Sequence, residues 1–151
     1  MNLTETIKSA GILIALLAVS RLIGMPDNAS PLMGLAVFAH RMNLSPWVAV
    51  GILAVTDVFF LGLYGHMPIV YASMFGAYFI GKYMSNVYAS GVVSVLVWHV
   101  LVNMGLTFPP FSPEAMLFDM RLLVSTLAFT ALLDITQRIT QLGKLDNKQV
   151  L

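Results

Sequence analysis

Cysteine is absent from this 151-residue chain, which removes thiolate metal sites, redox switching and a Cys nucleophile together. Charge is scarce. Eight Lys or Arg and seven Asp or Glu make 10% of the residues, where a soluble globular chain carries about 25%. So few charges cannot solvate the surface of a globule, and a disordered chain or a disulfide-stapled secreted domain is equally excluded. The net charge of +1 comes without any basic run, so nothing is present to track a nucleic-acid backbone. No G-x-S-x-G elbow, Walker A loop or G-x-G-x-x-G occurs, which argues against an enzyme and against nucleotide hydrolysis by the chain alone.

What fills the sequence is apolar: 58% hydrophobic residues with ten Met and nine Phe, and a mean hydropathy of +0.85. Lipid is the expected solvent, and an all-α membrane protein of one domain the expected fold. Ile7 to Ile23 is an apolar run with no convincing cleavage site behind it, and reads as a retained membrane helix. The prolines (Pro26, Pro31, Pro46, Pro68, Pro109, Pro110 and Pro113) all fall between apolar runs. Ser30-Pro31, Ser45-Pro46 and Ser112-Pro113 each place a Ser cap before a first-turn Pro.

Six helices are expected, at 7–23, 31–41, 46–63, 68–84, 87–106 and 120–139, followed by a short cytoplasmic tail, 140–151. The second would be only about 16 Å long at 1.5 Å per residue, too short for an upright crossing. If all six cross, Lys8, Arg41, Lys82, Arg138, Lys144 and Lys148 share one side and Arg21 and Arg121 the other. That asymmetry places both termini in the cytoplasm. If the short helix does not cross, Arg21 replaces Lys8 and the bias is the same. Either way the C-terminus, Arg41 and Lys82 are cytoplasmic.

Polar groups inside a membrane are costly and therefore informative. With six crossings the outer ends collect Arg21, Asp27, Asn28, Asp57, Tyr64, His66, Tyr71, Asn103, Asp119 and Arg121, with Trp98 and His99 somewhat deeper. The inner half is expected to be mostly apolar, with Asp134 near its end. A polar, aromatic-rich pocket open to the outside is what solute capture needs. The plainer alternatives stand beside it. Asp57 with Arg21 or Arg121 is equally a neutralising pair, and His99 is more readily a hydrogen-bonded interior histidine than a haem or pigment ligand. His40, His66 and His99 fall at different depths, so no shared metal and no resident cofactor are expected. Asp57 and Asp134 lie toward opposite faces and cannot form a catalytic carboxylate pair. On the first helix, Gly11, Ala15 and Ala18 form a small-residue face suited to a partner helix or to packing within the bundle.

Several short strings in order resemble a known family. Ser20-Arg-Leu-Ile-Gly-Met-Pro-Asp-Asn-Ala-Ser-Pro31 followed by Leu35-Ala-Val-Phe38 resembles the "R-L-x-P-x-P-N-F-x-P … A-L-F" start of a bacterial membrane family of unknown function. That family is grouped with the substrate-binding S-components of energy-coupling-factor (ECF) vitamin transporters. Thr56-Asp57 is similar to its Ser-Asp, Val70-Tyr71-Ala-Ser73 to its V-Y-x-S, and Leu101-Val-Asn103-Met-Gly105 to its T-N-F-G. Ala29 and Thr107 stand where the family has aromatic residues. The resemblance implies a six-helix S-component-like bundle in the bacterial inner membrane, N-in and C-in. It also implies a solute site near the outer face and a first-helix surface for a coupling subunit.

The expectation is therefore capture of a small vitamin-like or cofactor-precursor solute by Arg21, Asn28, Asp57, Tyr71, Trp98, His99, Asn103, Asp119 and Arg121. The alternative is a non-catalytic accessory subunit, docked in a larger respiratory, photosynthetic or transport complex in the membrane.

Overall fold

The structure, a computed structural model, describes residues 3–23, 31–107 and 112–149. It is all-α: α1 (Leu3–Leu22), α2 (Leu32–Phe38), α3 (Pro46–Leu61), α4 (Met67–Tyr83), α5 (Val87–Trp98) and α6 (Pro113–Gln149). Between the last two, α5 runs without interruption into a π-helical segment, His99–Thr107. No strand occurs among the described residues.

Caps set several of the boundaries. The Ser45 hydroxyl accepts from the Val48 N–H at 3.3 Å, with Pro46 in the first turn, and so starts α3 where the Ser-Pro signal places it. Asn86 starts α5 by accepting from the N–H groups of Tyr88 and Ala89 at 3.0 and 3.1 Å. α3 stops at Leu61, short of the expected residue 63, because Gly62 turns the chain at φ 77° and ψ −172°, a region open essentially to glycine alone.

Three further expected boundaries are corrected. α2 closes at Phe38 instead of 41: turns follow from Ala39, and Asn43 sits at φ 58°, a left-handed conformation that Asn tolerates. α6 begins at Pro113, not 120, because the Ser112 hydroxyl accepts from the Ala115 N–H at 3.1 Å. The cap, not the first residue of the apolar run, decides where that helix starts. α6 then continues to Gln149, so residues 140–149, expected as a tail, are helical. That stretch contains no Pro and is rich in Gln, Leu and Lys, which favour helix.

α2 is the centre of the packing. Met33 to Phe38 are all buried, and the helix lies against α3, α4, α5 and α6. It approaches α4 backbone to backbone: a Cβ on Gly81 would fall 2.0 Å from the Val37 carbonyl oxygen. Such contact between helices requires a missing side chain. After α2 the chain is held by the buried Tyr78 hydroxyl, which donates to the Leu44 carbonyl at 2.8 Å and so ties the α2–α3 connection to α4.

α1 lies outside this group, against α3, with Leu13, Leu17 and Ser20 buried. Gly11 and Ala15 are exposed and Ala18 is half-buried, so the small-residue face is turned largely away from the bundle. Large apolar side chains are widely exposed, with Trp47 77%, Phe59 81% and Leu63 83% accessible, while Asn103, Thr126 and Thr130 are inside at 0–1%. Among the described residues one helix, Pro113–Ile139, is by length and composition long and apolar enough to cross a membrane. Its 27 residues extend about 40 Å. Shorter apolar helices run over Ile7–Ser20, Pro46–Leu61 and Val87–Asn103.

Candidate functional site

Five of the nine residues expected to form a solute site fall into two hydrogen-bonded groups. The first lies at the α3–α4 turn. Asp57, in the last turns of α3, is buried at 2% exposure. Its Oδ2 accepts from the hydroxyls of Tyr64 and Tyr71 at 3.5 and 3.4 Å, long contacts that leave room for adjustment. Tyr64 comes from the turn that Gly62 opens, and Tyr71 from the first turns of α4.

The second group joins the π-helical segment to α6. Asn103 donates from Nδ2 to Oδ1 of Asp119 at 2.7 Å, while Nδ1 of His99 is bonded to Oδ2 of the same carboxylate. A π-helix bonds i to i+5, so residues four or five apart lie nearly above one another. This brings His99 and Asn103 to one face, and Asp119 reaches it from α6 because that helix begins at Pro113. Beside them Trp98 stacks on Phe118, with ring centroids 6.5 Å apart and planes 16° from parallel. The Trp98 indole Nε1–H is buried and meets no acceptor among the described residues. The π-helical segment packs against α4, the helix that carries Tyr71, and both groups occupy the end of the bundle where α3 and α5 finish and α4 and α6 begin.

Of the remaining expected residues, Asn28 and the side chain of Arg21 lie outside the described residues. Arg121 is exposed and forms no pair with Asp57 among the described residues, which removes it as the neutralising partner. A helical residue two positions from Asp119 points elsewhere, since neighbours on one face are three or four apart. His99 is engaged through Nδ1 by a carboxylate, the arrangement of a hydrogen-bonded interior histidine. No group of three His, Asp or Glu side chains placed to hold a metal occurs among the described residues.

A further polar site, not foreseen from the sequence, lies at the opposite end of the bundle. There Asp134 of α6 accepts on Oδ2 from the Tyr88 hydroxyl at 3.2 Å and from Arg138 Nε at 3.0 Å. The i, i+4 spacing of Asp134 and Arg138 is a pairing signal that the sequence does carry. Tyr88, 46 residues from Asp134, is joined to it only by the fold. The corrected picture is a bundle with polar groups at both ends.

Among the described residues, an all-α bundle with one membrane-length helix carries a half-buried acid–imidazole–amide group at one end and an arginine–carboxylate group at the other. The chain belongs to a family of unknown function, DUF6580, whose model matches residues 2–130. No curated protein and no solved structure matches it.

Proposed function

We propose that the protein is a multi-pass, inner-membrane solute-capture protein, N-in and C-in, resembling the S-components of ECF transporters. In this reading it binds a small vitamin-like or cofactor-precursor molecule at its extracytoplasmic end. The observation that carries the reading is the Trp98 indole N–H, buried without an acceptor beside a stacked Phe118 and the His99–Asn103–Asp119 group. A buried donor calls for a partner, and a bound solute supplies one. Aromatic faces would hold the apolar part of the ligand, while Asp57, Tyr71 and Asn103 supply polar contacts.

The distribution of side chains supports a lipid setting. Bulky apolar groups such as Phe59 and Leu63 point outward while Ser, Thr and Asn are enclosed, the reverse of what water favours. α3 and α4, of 16 and 17 residues, approach the short end of the length range for crossing segments.

A second reading, an accessory subunit docked in a larger membrane complex, is favoured by the uncovered Gly11 and Ala15 on α1. Native mass spectrometry of gently solubilised protein from its own host separates the two. A stoichiometric small-molecule adduct, lost in Asp57→Ala while the protein stays folded, is the expected result. Foreign subunits in fixed ratio with no adduct would replace capture by the accessory role.

A further inference from the structure

Two adjoining open clefts, of about 470 and 310 Å³, share Arg41, Asp134 and Arg138 at the bundle end opposite the aromatic group. His40, Asn43 and Gln137 complete the larger one and Tyr88 borders the smaller. Both arginines are braced from behind. Arg41 is half-buried, donates from Nη2 to the Ser85 carbonyl at 2.7 Å and lies 5.9 Å over the Phe38 ring. Arg138 donates from Nε to Asp134, whose same oxygen also takes the Tyr88 hydroxyl.

The charge balance favours an anion. Asp134 and Arg138 cancel, which leaves the cleft the charge of Arg41. A guanidinium carries five N–H donors, and among the described residues each of these spends one on the protein. The donors that remain match the oxygens of a phosphate, and Arg41, held by the Ser85 carbonyl and the Phe38 ring, is the better ordered of the two forks. The cleft lies at the end that the Lys and Arg asymmetry assigns to the cytoplasm, and basic pockets between helices on that side receive anionic lipid heads. Its flank is apolar: Ile135 and Ile139, each one residue beyond a cleft residue of α6, are 54% and 64% exposed, and Val92 lies one turn beyond Tyr88. Acyl chains would lie along such a flank, whereas a soluble phosphate would gain nothing from it.

We infer that the Arg41–Arg138 cleft binds a phosphate group, and that its source is the head of an anionic phospholipid. The inference rests on the membrane reading but not on solute capture.

Its test is native mass spectrometry of detergent-purified protein mixed with phosphatidylglycerol or with phosphatidylcholine of the same chain length. One phosphatidylglycerol per chain is expected to survive collisional activation that strips phosphatidylcholine. Losing both cationic forks in Arg41→Gln with Arg138→Gln should weaken retention at least about tenfold. Arg138→Gln alone, at a side chain 72% exposed, removes one cation and its bond to Asp134 and should still lower it measurably while the helical circular dichroism is unchanged. Lys82→Gln, at an exposed cation lining neither cleft, should leave it unchanged. Equal retention of the two lipids, or indifference to Arg138→Gln, would overturn the site. Displacement of phosphatidylglycerol by an equal concentration of inorganic phosphate would overturn the lipid source and assign a soluble phosphate instead. Failure of the membrane reading has its own signature, a chain that stays monodisperse in water once detergent is removed.

Discussion

Asn103 donates to Asp119 across 2.7 Å, and through that bond the π-helical end of α5 is fastened to the first turns of α6. The other carboxylate oxygen is taken by His99, so both oxygens of a half-buried acid have partners on a single neighbouring segment. Residues four apart already share one face of a regular α-helix, and the wider turn of the π-helical segment keeps 99 and 103 together there, so both reach the same carboxylate.

Replacing Asn103 with Leu puts an apolar side chain of similar size in its place and leaves Oδ1 of Asp119 without its donor. Asn103 is 1% exposed, so water has no ready route to replace the amide. A hydrogen bond to a charged group is worth about 1.5–3 kcal/mol, and the variant should unfold more easily by that amount. Thermal unfolding in detergent, followed by helical circular dichroism, reads it as a lower Tm. An unchanged Tm would mean that the Asn103–Asp119 bond contributes nothing to stability.

How much of this was legible in the sequence differs from element to element. Ser45-Pro46 and Ser112-Pro113 mark helix starts correctly, because capping is a local interaction of a few residues. A start of α6 at 120 gives the apolar run more weight than the Ser112 cap, and the cap prevails. His99, Asn103 and Asp119 are recognisable as costly polar residues in apolar surroundings, but that they meet depends on how α5 and its continuation pack on α6, which composition does not reveal. Trp98 was a candidate, yet its stacking on Phe118 follows from how two helices meet. The Arg41–Asp134–Arg138 end shows the same limit. Asp134 and Arg138 are a local pair, whereas Arg41, Ser85 and Tyr88 are brought there by the packing of α2 and α5 to α6.

The approach of α2 to α4 gives a sharper test of the core. Gly81 faces the Val37 backbone, where a Cβ would fall 2.0 Å from the oxygen, and neither backbone is free to yield like the end of a side chain. Gly81→Ala should therefore exceed the usual overpacking penalty of about 1–3 kcal/mol and yield little folded protein. Gly51 on α3 is the control, since a Cβ there meets nothing within 4 Å. Gly51→Ala should be neutral or stabilising by about 0.5–1 kcal/mol through helix propensity alone. Monodispersity on size exclusion and Tm measure both. Equal behaviour of the two variants would show that α2 does not pack on α4 at Gly81.

The two tryptophans allow the lipid setting to be measured directly. Trp47, in the first turn of α3, is 77% exposed and meets Phe75 edge-on at 4.9 Å, whereas Trp98 is 7% exposed inside the bundle. A bulky indole this exposed on a membrane protein belongs at the level where chains meet headgroups. In nanodiscs, Trp98→Phe leaves Trp47 as the sole emitter, and lipids brominated near the headgroup should quench it strongly. Trp47→Phe leaves Trp98, which the same lipids should quench far less because protein separates it from the chains. Aqueous iodide should reach neither well. If iodide quenches Trp47 while brominated lipid leaves it bright, that face of α3 lies in water and the multi-pass reading fails there. The outcome matters beyond orientation, because a lipid-facing α3 means that the apolar groove formed by Ile14, Val48, Gly51 and Val55 opens into the bilayer. A partner helix, if one docks there, then has to arrive through the membrane.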